Sequence, residues 1–368
     1  MDLVRSGAPA ETSKMRRLFR GAILGLIFVL ARPLAARDST DIIVMKNGDR
    51  LTGKIKRLQA GVLYFSLDYA SGDVSIEWAQ VARVDSKQLF IVKTEDGSVY
   101  VGNLATAKAA PGGITELEII ETAEAENPVK VDKAQVVDVR QTSDEFWQRL
   151  SGGVSFGATY AKGNNATQYN LGADTLYRRE NWSAKANMSS NLQSSTGATT
   201  STRNMLSVDA YHLLPWENYF YTGLGNFLQS SVQGIQLQTS LGGGIGRFLK
   251  NTNTSQIAVI GGLAWQSTQY RQAEVPEPAQ DVVSALIALD ASLFRFDKTN
   301  LTVSANLFPA LSDPGRFYFN TNASYFVKIF GDIKWNISFY GNWDTKPPAH
   351  FSGSDYGTTA GLTWTFGK

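Results

Sequence analysis

Ile333-Lys334-Trp335-Asn336-Ile337-Ser338-Phe339-Tyr340-Gly341-Asn342-Trp343-Asp344 changes character at nearly every step. Ile333, Trp335, Ile337, Phe339 and Trp343 share one face; Lys334, Asn336, Ser338, Tyr340, Asn342 and Asp344 share the other. A period of two is a β-strand with unlike faces. Phe317 to Lys328 and Tyr356 to Phe366 repeat the arrangement. A soluble β-sandwich would alternate too, with its apolar face in a core. Two features favour lipid: the polar face is rich in Gly, Ser, Thr and Asn where a solvated surface would carry Lys and Glu, and aromatics gather near strand ends as interfacial girdles do. Most stretches reach the roughly 9–11 residues that a tilted spanning strand needs. Backbone polar groups in lipid must all be paired, so such strands close into a barrel.

Outward from that stretch, twelve strands are expected at 150–161, 167–178, 182–193, 203–214, 218–229, 235–248, 255–270, 282–296, 299–309, 316–329, 332–344 and 356–366. The fold class is therefore all-β: a transmembrane antiparallel up-and-down barrel preceded by a small duplicated β domain. Connections after even-numbered strands are brief, such as Arg179-Glu180-Asn181 and Phe330-Gly331. Those after odd-numbered strands are mostly longer, as in Arg271–Asp281 and Thr345–Asp355. Short periplasmic turns and long outer loops are the outer-membrane pattern. Gly242-Gly243-Gly244-Ile245-Gly246 lacks the lysine and the strand–loop–helix setting of a phosphate loop, and reads as a thin or bending part of the wall.

The 368 residues divide sharply. Charged residues are 31 of the 113 in 38–150 but 28 of the 218 in 151–368, while the net charge is only +2. That balance gives no sign of a nucleic-acid partner. Cysteine is absent, which excludes disulfide scaffolds and thiolate chemistry. Arg16, Arg17 and Arg20, an apolar run from Gly21 to Ala31, and Pro33-Leu34-Ala35-Ala36 make 1–37 a secretory signal peptide, with Met15 as an alternative start. The following segment, 38–145, repeats itself. Gly97 echoes Gly48, Val101-Gly102 echoes Thr52-Gly53, and Val129, Val131 and Ala134-Gln135-Val136 echo Val74, Ile76 and Ala79-Gln80-Val81. The repeat resembles the small SH3-like or Sm-like barrels of bacterial envelope proteins. Asn47-Gly48 announces a type I′ hairpin. Tyr64, Tyr69 and Trp78 either line a binding groove or fill two small cores. Glu116, Glu118, Glu121, Glu124 and Glu126 form either a cation site or a solvated face.

Parity places Asp174, Lys185, Asp209, Asp290, Lys334 and Asp344 inside the barrel of residues 146–368. They either line a polar conduit and set its ion preference or neutralise one another in a filled lumen, and about twelve strands enclose little free space. The histidines are His212 and His350. A Ser/His hydrolase needs its histidine within reach of a serine, and His212 shares the parity of Leu206, Val208 and Ala210 on the lipid side. No cluster suggests a metal, a cofactor or a catalytic set.

Val154-Ser155-Phe156-Gly157-Ala158-Thr159-Tyr160-Ala161-Lys162-Gly163-Asn164, Asn170-Leu171-Gly172-Ala173-Asp174, and Tyr219-Phe220, Gln233, Ile235 and Ser240 to Arg247 resemble the domain-of-unknown-function 481 family, labelled salt-induced outer-membrane protein. The resemblance covers about 150–368 and implies an outer-membrane barrel without an assigned activity. Tyr356, Leu362, Trp364 and Phe366 are the expected signal for the barrel assembly machinery, followed by Gly367-Lys368. The expected protein is a non-enzymatic envelope component, either a narrow channel or a structural element under osmotic stress, in contact with outer-membrane lipid and lipopolysaccharide. The alternatives are a periplasmic module tethering the barrel to peptidoglycan or a periplasmic protein, and a lipid-modifying enzyme.

Overall fold

A computed structural model describes residues 41–106, 116–120, 128–142, 146–161, 166–179, 181–197, 199–214, 218–271, 280–296, 298–348 and 351–366. The expected signal peptide, Glu121, Glu124, Glu126, His350 and Gly367-Lys368 lie outside them.

Nine strands form the first sheet. β1 (Asp41–Met45), β2 (Arg50–Gln59), β3 (Val62–Ser66) and β4 (Asp73–Glu77) lead through a one-turn 3-10 helix (Trp78–Gln80) into β5 (Val81–Thr94). The second half of β5 starts the same order again: β6 (Val99–Thr106), β7 (Glu116–Ile120), β8 (Val129–Asp132), a 3-10 helix (Lys133–Gln135) and β9 (Val136–Gln141). β1, β2, β9 and β5 pair into a ring of four. Equivalent residues of the two copies lock together. Trp78 Nε1 donates to the Lys133 carbonyl (3.0 Å), and Lys133 Nζ donates to the Trp78 carbonyl (3.0 Å).

Because β5 belongs to both copies, their apolar residues merge. Ile43, Phe65, Trp78, Phe90, Leu117 and Val139 lie in one cluster, so the expectation of two separate cores is corrected to one. Tyr64 is half-buried beneath Arg57, whereas Tyr69 is exposed. The hairpin turn also differs from expectation. Gly48 has φ +94 while Asn47 does not enter the left-handed region, and Gly48 N donates to the Met45 carbonyl (2.9 Å). One left-handed glycine after a tight turn gives a three-residue hairpin loop, where type I′ needs two such residues. Gly97 (φ +90) does the same in the second copy, donating to the Thr94 carbonyl. Glu116 and Glu118 lie 3.7 and 3.8 Å from Lys130, a solvated cross-strand pairing.

The second sheet is the barrel. Its strands are β10 (Leu150–Ala161), β11 (Ala166–Arg178), β12 (Trp182–Ser194), β13 (Ser201–Leu213), β14 (Tyr219–Ser230) and β15 (Ile235–Asn251), then β16 (Ser255–Tyr270), β17 (Gln280–Arg295), β18 (Thr299–Pro309), β19 (Phe317–Phe330), β20 (Ile333–Asp344) and β21 (Ser354–Phe366). They pair antiparallel in chain order, and β21 returns to β10 through Gly152↔Phe366 and Val154↔Trp364. Twelve strands close, as the periodicity anticipates. Connections at one end run from two to five residues and at the other from four to nine; these are the short-turn and long-loop ends.

The outward face is apolar and bare. Phe156, Leu171, Leu206, Leu241, Leu263, Ile287, Ile337 and Leu362 are all exposed. A soluble monomer rarely shows so large a contiguous apolar surface. Aromatic rings bound it at both ends: Phe319, Trp343 and Tyr356 in contact near the long loops, Tyr177 with Trp182 and Trp364 with Phe366 near the short turns. On β21, Tyr356 and Trp364 are eight residues apart, about 26 Å along the strand at roughly 3.3 Å per residue. A tilt of about 40° turns that into roughly 20 Å of height, close to the roughly 25 Å apolar band of membrane barrels.

The short turns also meet the first domain. Asn218 Nδ2 donates to the Glu95 carbonyl (2.7 Å) beside Gly97, and Asn253 Nδ2 donates to the Val136 carbonyl (2.8 Å) beside Gly61. Burial raises the Glu95 carboxyl above the usual carboxylate range.

Candidate functional site

Inside the barrel, the residues sort by height. Near the long-loop end, Arg203 on β13 reaches across the lumen to β20 and β21. Its Nε lies 3.7 Å from Asp355 Oδ2, with both side chains almost fully buried. Its guanidinium sits 4.3 Å over the Tyr340 ring. The Asn342 amide, oriented by its neighbours, accepts from Arg203 Nη2 (2.6 Å) and Nε (3.1 Å) and donates to Asn320 (2.9 Å). Ser230 Oγ donates to Asp355 (2.6 Å). Strands far apart in sequence are thus tied through the lumen by one cation.

A second arginine closes the other side of the same end. Arg316 grips Asp344 with two parallel bonds, Nε to Oδ1 (3.0 Å) and Nη2 to Oδ2 (2.7 Å). It also donates to Gln280 Oε1 (3.1 Å) and the Tyr270 hydroxyl (3.1 Å), and lies 4.7 Å over the Tyr318 ring. A planar fork matched to a carboxylate is what arginine supplies and lysine does not. Above this level the connection after β20 folds over the mouth. Lys346 Nζ bonds Asp313 (2.6 Å) and the Pro314 carbonyl (2.9 Å). The Phe351 ring packs where a Cβ at Gly234 would sit. Gly234 has φ +66, so this contact needs glycine twice over.

Just beneath, Ala264, Val282, Leu286, Ala288, Phe308 and Tyr318 form an apolar cluster inside the lumen. The short-turn half differs. Asp174, Lys185, Asp209, Asp290 and Lys334 all point inward there, alternating with outward Leu171, Val208, Leu289 and Trp335. Lys185 stands directly opposite Asp209, and Asp174 opposite Gly153 and Asn187. Asp174, Lys185 and Asp290 are exposed although they face the lumen, so water-sized space remains beside them at this height.

Five of the six inward charges expected from parity therefore share one layer, and Asp344 is held apart from them by Arg316. Parity reasoning missed Arg203 and Asp355. Arg203 has the same parity as Asp209 and was legible on that ground. Asp355 precedes the expected start of the last strand and reads as a loop residue. His212 is exposed on the outer face, with Trp182 and Tyr221 opposite it on the neighbouring strands. Tyr356, Leu362 and Trp364 face outward on the closing strand. Among the described residues, no group of three or more His, Asp or Glu is placed to hold a metal ion.

The family model described as "Protein of unknown function, DUF481" matches residues 154–366. No curated protein matches the chain. Among solved structures, the chain is similar to the translocator domain of autotransporter NalP from Neisseria meningitidis (13% identity, 58% of this chain, 87% of that one, TM-score 0.34). CdiB from Acinetobacter baumannii shows 10% identity over 84% of this chain and 57% of its own, TM-score 0.34. A porin shows 11% identity over 76% and 98%, TM-score 0.27. At these values the likenesses carry no argument, and the lumen must be read from its own residues.

Proposed function

Because the chain belongs to the DUF481 family, whose function is unknown, we propose from its own geometry that it is a non-enzymatic outer-membrane barrel with a lumen shut on the outer side. The short turns face the periplasm, where the duplicated domain lies, and the long loops face outside. The bare apolar belt with its aromatic borders supports the location. β21 supplies the assembly signal through Tyr356, Leu362, Trp364 and Phe366.

The observation that carries the reading is the division of the lumen. A layer of three aspartates and two lysines, with Asp174, Lys185 and Asp290 exposed, lies toward the periplasm, and two buried arginine networks lie beyond it. Ions from the periplasm reach the charged layer. Passage further requires Arg203 and Arg316 to leave their carboxylates, and breaking a desolvated pair is costly. The resting state is a narrow channel closed at one end.

Planar-bilayer recording tests this. The wild type should be silent or open rarely, and Arg203→Ala with Arg316→Ala should give frequent discrete openings. Lys334→Glu in that background should shift selectivity toward cations. Steady conductance in the wild type equal to that of the double variant would remove the proposal.

A further inference from the structure

The seam that closes the barrel is shorter than the others. β21 pairs with β10 over five residues, from Gly152↔Phe366 to Phe156↔Leu362. Each of the other eleven seams pairs over nine residues or more. The strands themselves do not end there. β10 runs on to Ala161 and stays paired with β11 as far as Ala161↔Ala166, while β21 begins at Ser354 and pairs with β20 from Trp343↔Ser354 onward. Above Phe156 and Leu362, two ordered strand edges therefore face each other with no ladder between them among the described residues. One side chain spans the gap. Asn170 Nδ2 on β11 reaches past Gly157 and donates to the Ala360 carbonyl at 3.5 Å, long for such a bond. A Cβ at Gly157 would strike both the Asn170 amide and the Ala360 carbonyl, so this crossing needs glycine.

From Leu362 up to Tyr356 is about 20 Å along the strand, or about 15 Å in height at a tilt of about 40°. The stretch without a ladder thus occupies the outer part of the apolar belt, just beneath the level of Asp355. Its outer lip carries Phe156 and Leu362 below and Tyr356 above, with only Ala158, Thr358 and Ala360 between, all of them exposed. Its inner lip is polar. Thr159, Thr359 and Ser338, which stands opposite Thr359, face the lumen by the alternation of their strands. Strand edges without partners are costly in hydrocarbon, and an occupant matched to this slit is apolar toward lipid and polar toward the lumen. An inserted strand does not fit, since it would hold the flanking edges about 9.5 Å apart, and at Gly157 and Ala360 they touch. A single hydrocarbon chain requires only that the edges above Asn170 part. We propose that the outer half of the β10–β21 seam is a lateral portal, through which a single-chain amphiphile such as a fatty acid passes its polar head from the outer leaflet into the lumen. The inference rests on the barrel and its orientation and not on the closed mouth, so a steadily conducting wild type leaves it standing.

The chain has no cysteine, and continuing the register sets Thr159 opposite Thr359, within reach of a disulfide. Full-length Thr159→Cys/Thr359→Cys protein in phosphatidylcholine vesicles is irradiated with palmitic acid carrying a diazirine beside its carboxyl group. Mass spectrometry then locates the adducts on β20. In the reduced protein, adducts are expected on lumen-facing Ser338 as well as on lipid-facing Ile337. Oxidation should abolish the Ser338 adduct and spare that on Ile337, and reduction should restore it. Asn170→Ala in the otherwise unchanged chain removes the side-chain tie and should raise Ser338 labelling at least about twofold; this variant carries the test where the disulfide fails to form. Adducts confined to Ile337, or Ser338 labelling indifferent to both oxidation and Asn170→Ala, overturn the proposal. Covalent dimers linked through the introduced cysteines would put a strand of a second copy in the seam and overturn it as well.

Discussion

Replacing Arg316 with Met probes the closure at its most heavily bonded residue. The side chain is 5% exposed and its partner Asp344 9%. Four hydrogen bonds are lost: two to Asp344, one to Gln280 and one to Tyr270. Removing one member of a buried ion pair costs about 3–5 kcal/mol, because the other charge stays desolvated. The stranded Asp344 keeps one donor, the Lys346 backbone N–H at 2.9 Å, which places the expected loss near the lower end, about 3 kcal/mol. Met fills much of the volume, so little of that is cavity formation. Arg316→Met combined with Asp344→Asn removes the stranded charge and should cost less than the sum of the singles by about 2 kcal/mol. Urea unfolding in phospholipid vesicles, followed by tryptophan fluorescence, measures all three differences. If Arg316→Met falls within about 1 kcal/mol of wild type, or the two substitutions simply add, the pair is not desolvated and the closed-end reasoning fails.

Other consequences are equally direct. Gly234→Ala must place a side chain at positive φ and against the Phe351 ring; it should destabilise by more than about 1 kcal/mol in the same unfolding assay. Asn218→Ala with Asn253→Ala removes the two side-chain bonds to the first domain, worth about 1 kcal/mol each. Amide exchange at the Gly61 and Gly97 turns should accelerate while the barrel strands stay protected. Burial, with Lys46 nearby, lowers the Lys133 amine to about 8, and it sits 4.4 Å over the Trp78 ring. The fluorescence difference between wild type and Lys133→Met should titrate near pH 8. The folded state disfavours the charged amine, so the first domain should gain stability as pH rises from about 8 to about 10.4, the unfolded lysine value. Lys133→Met should lack that gain.

The barrel is written in the sequence because lipid enforces it. Lipid-facing positions are predominantly apolar, so the alternation in 150–161, 255–270 and 299–309 returns as strands with those bounds. Lumen parity is equally legible, since one residue of slip would put Asp174 or Lys334 into hydrocarbon. The closing networks are less so. Arg203 and Asp355 are 152 positions apart and meet only when β21 seals against β10. Nothing local announces that encounter, and Asp355 reads as loop because the apolar rhythm starts at Tyr356. The duplicated domain shows the opposite failure. Its repeat is plain in Ala79-Gln80-Val81 and Ala134-Gln135-Val136, yet two copies suggest two cores. The shared strand β5, and the reciprocal bonds of Trp78 and Lys133, make it one.

Because the chain contains no cysteine, single cysteines can carry a spin label at chosen sites, and two of them test which side of the wall meets hydrocarbon. In vesicles, a label at Leu263→Cys should collide readily with dissolved oxygen and be shielded from a water-soluble nickel chelate, while one at Asp290→Cys should show the reverse. Nickel access at 263 together with oxygen-rich, water-poor surroundings at 290 would mean that the barrel is turned inside out from the arrangement described.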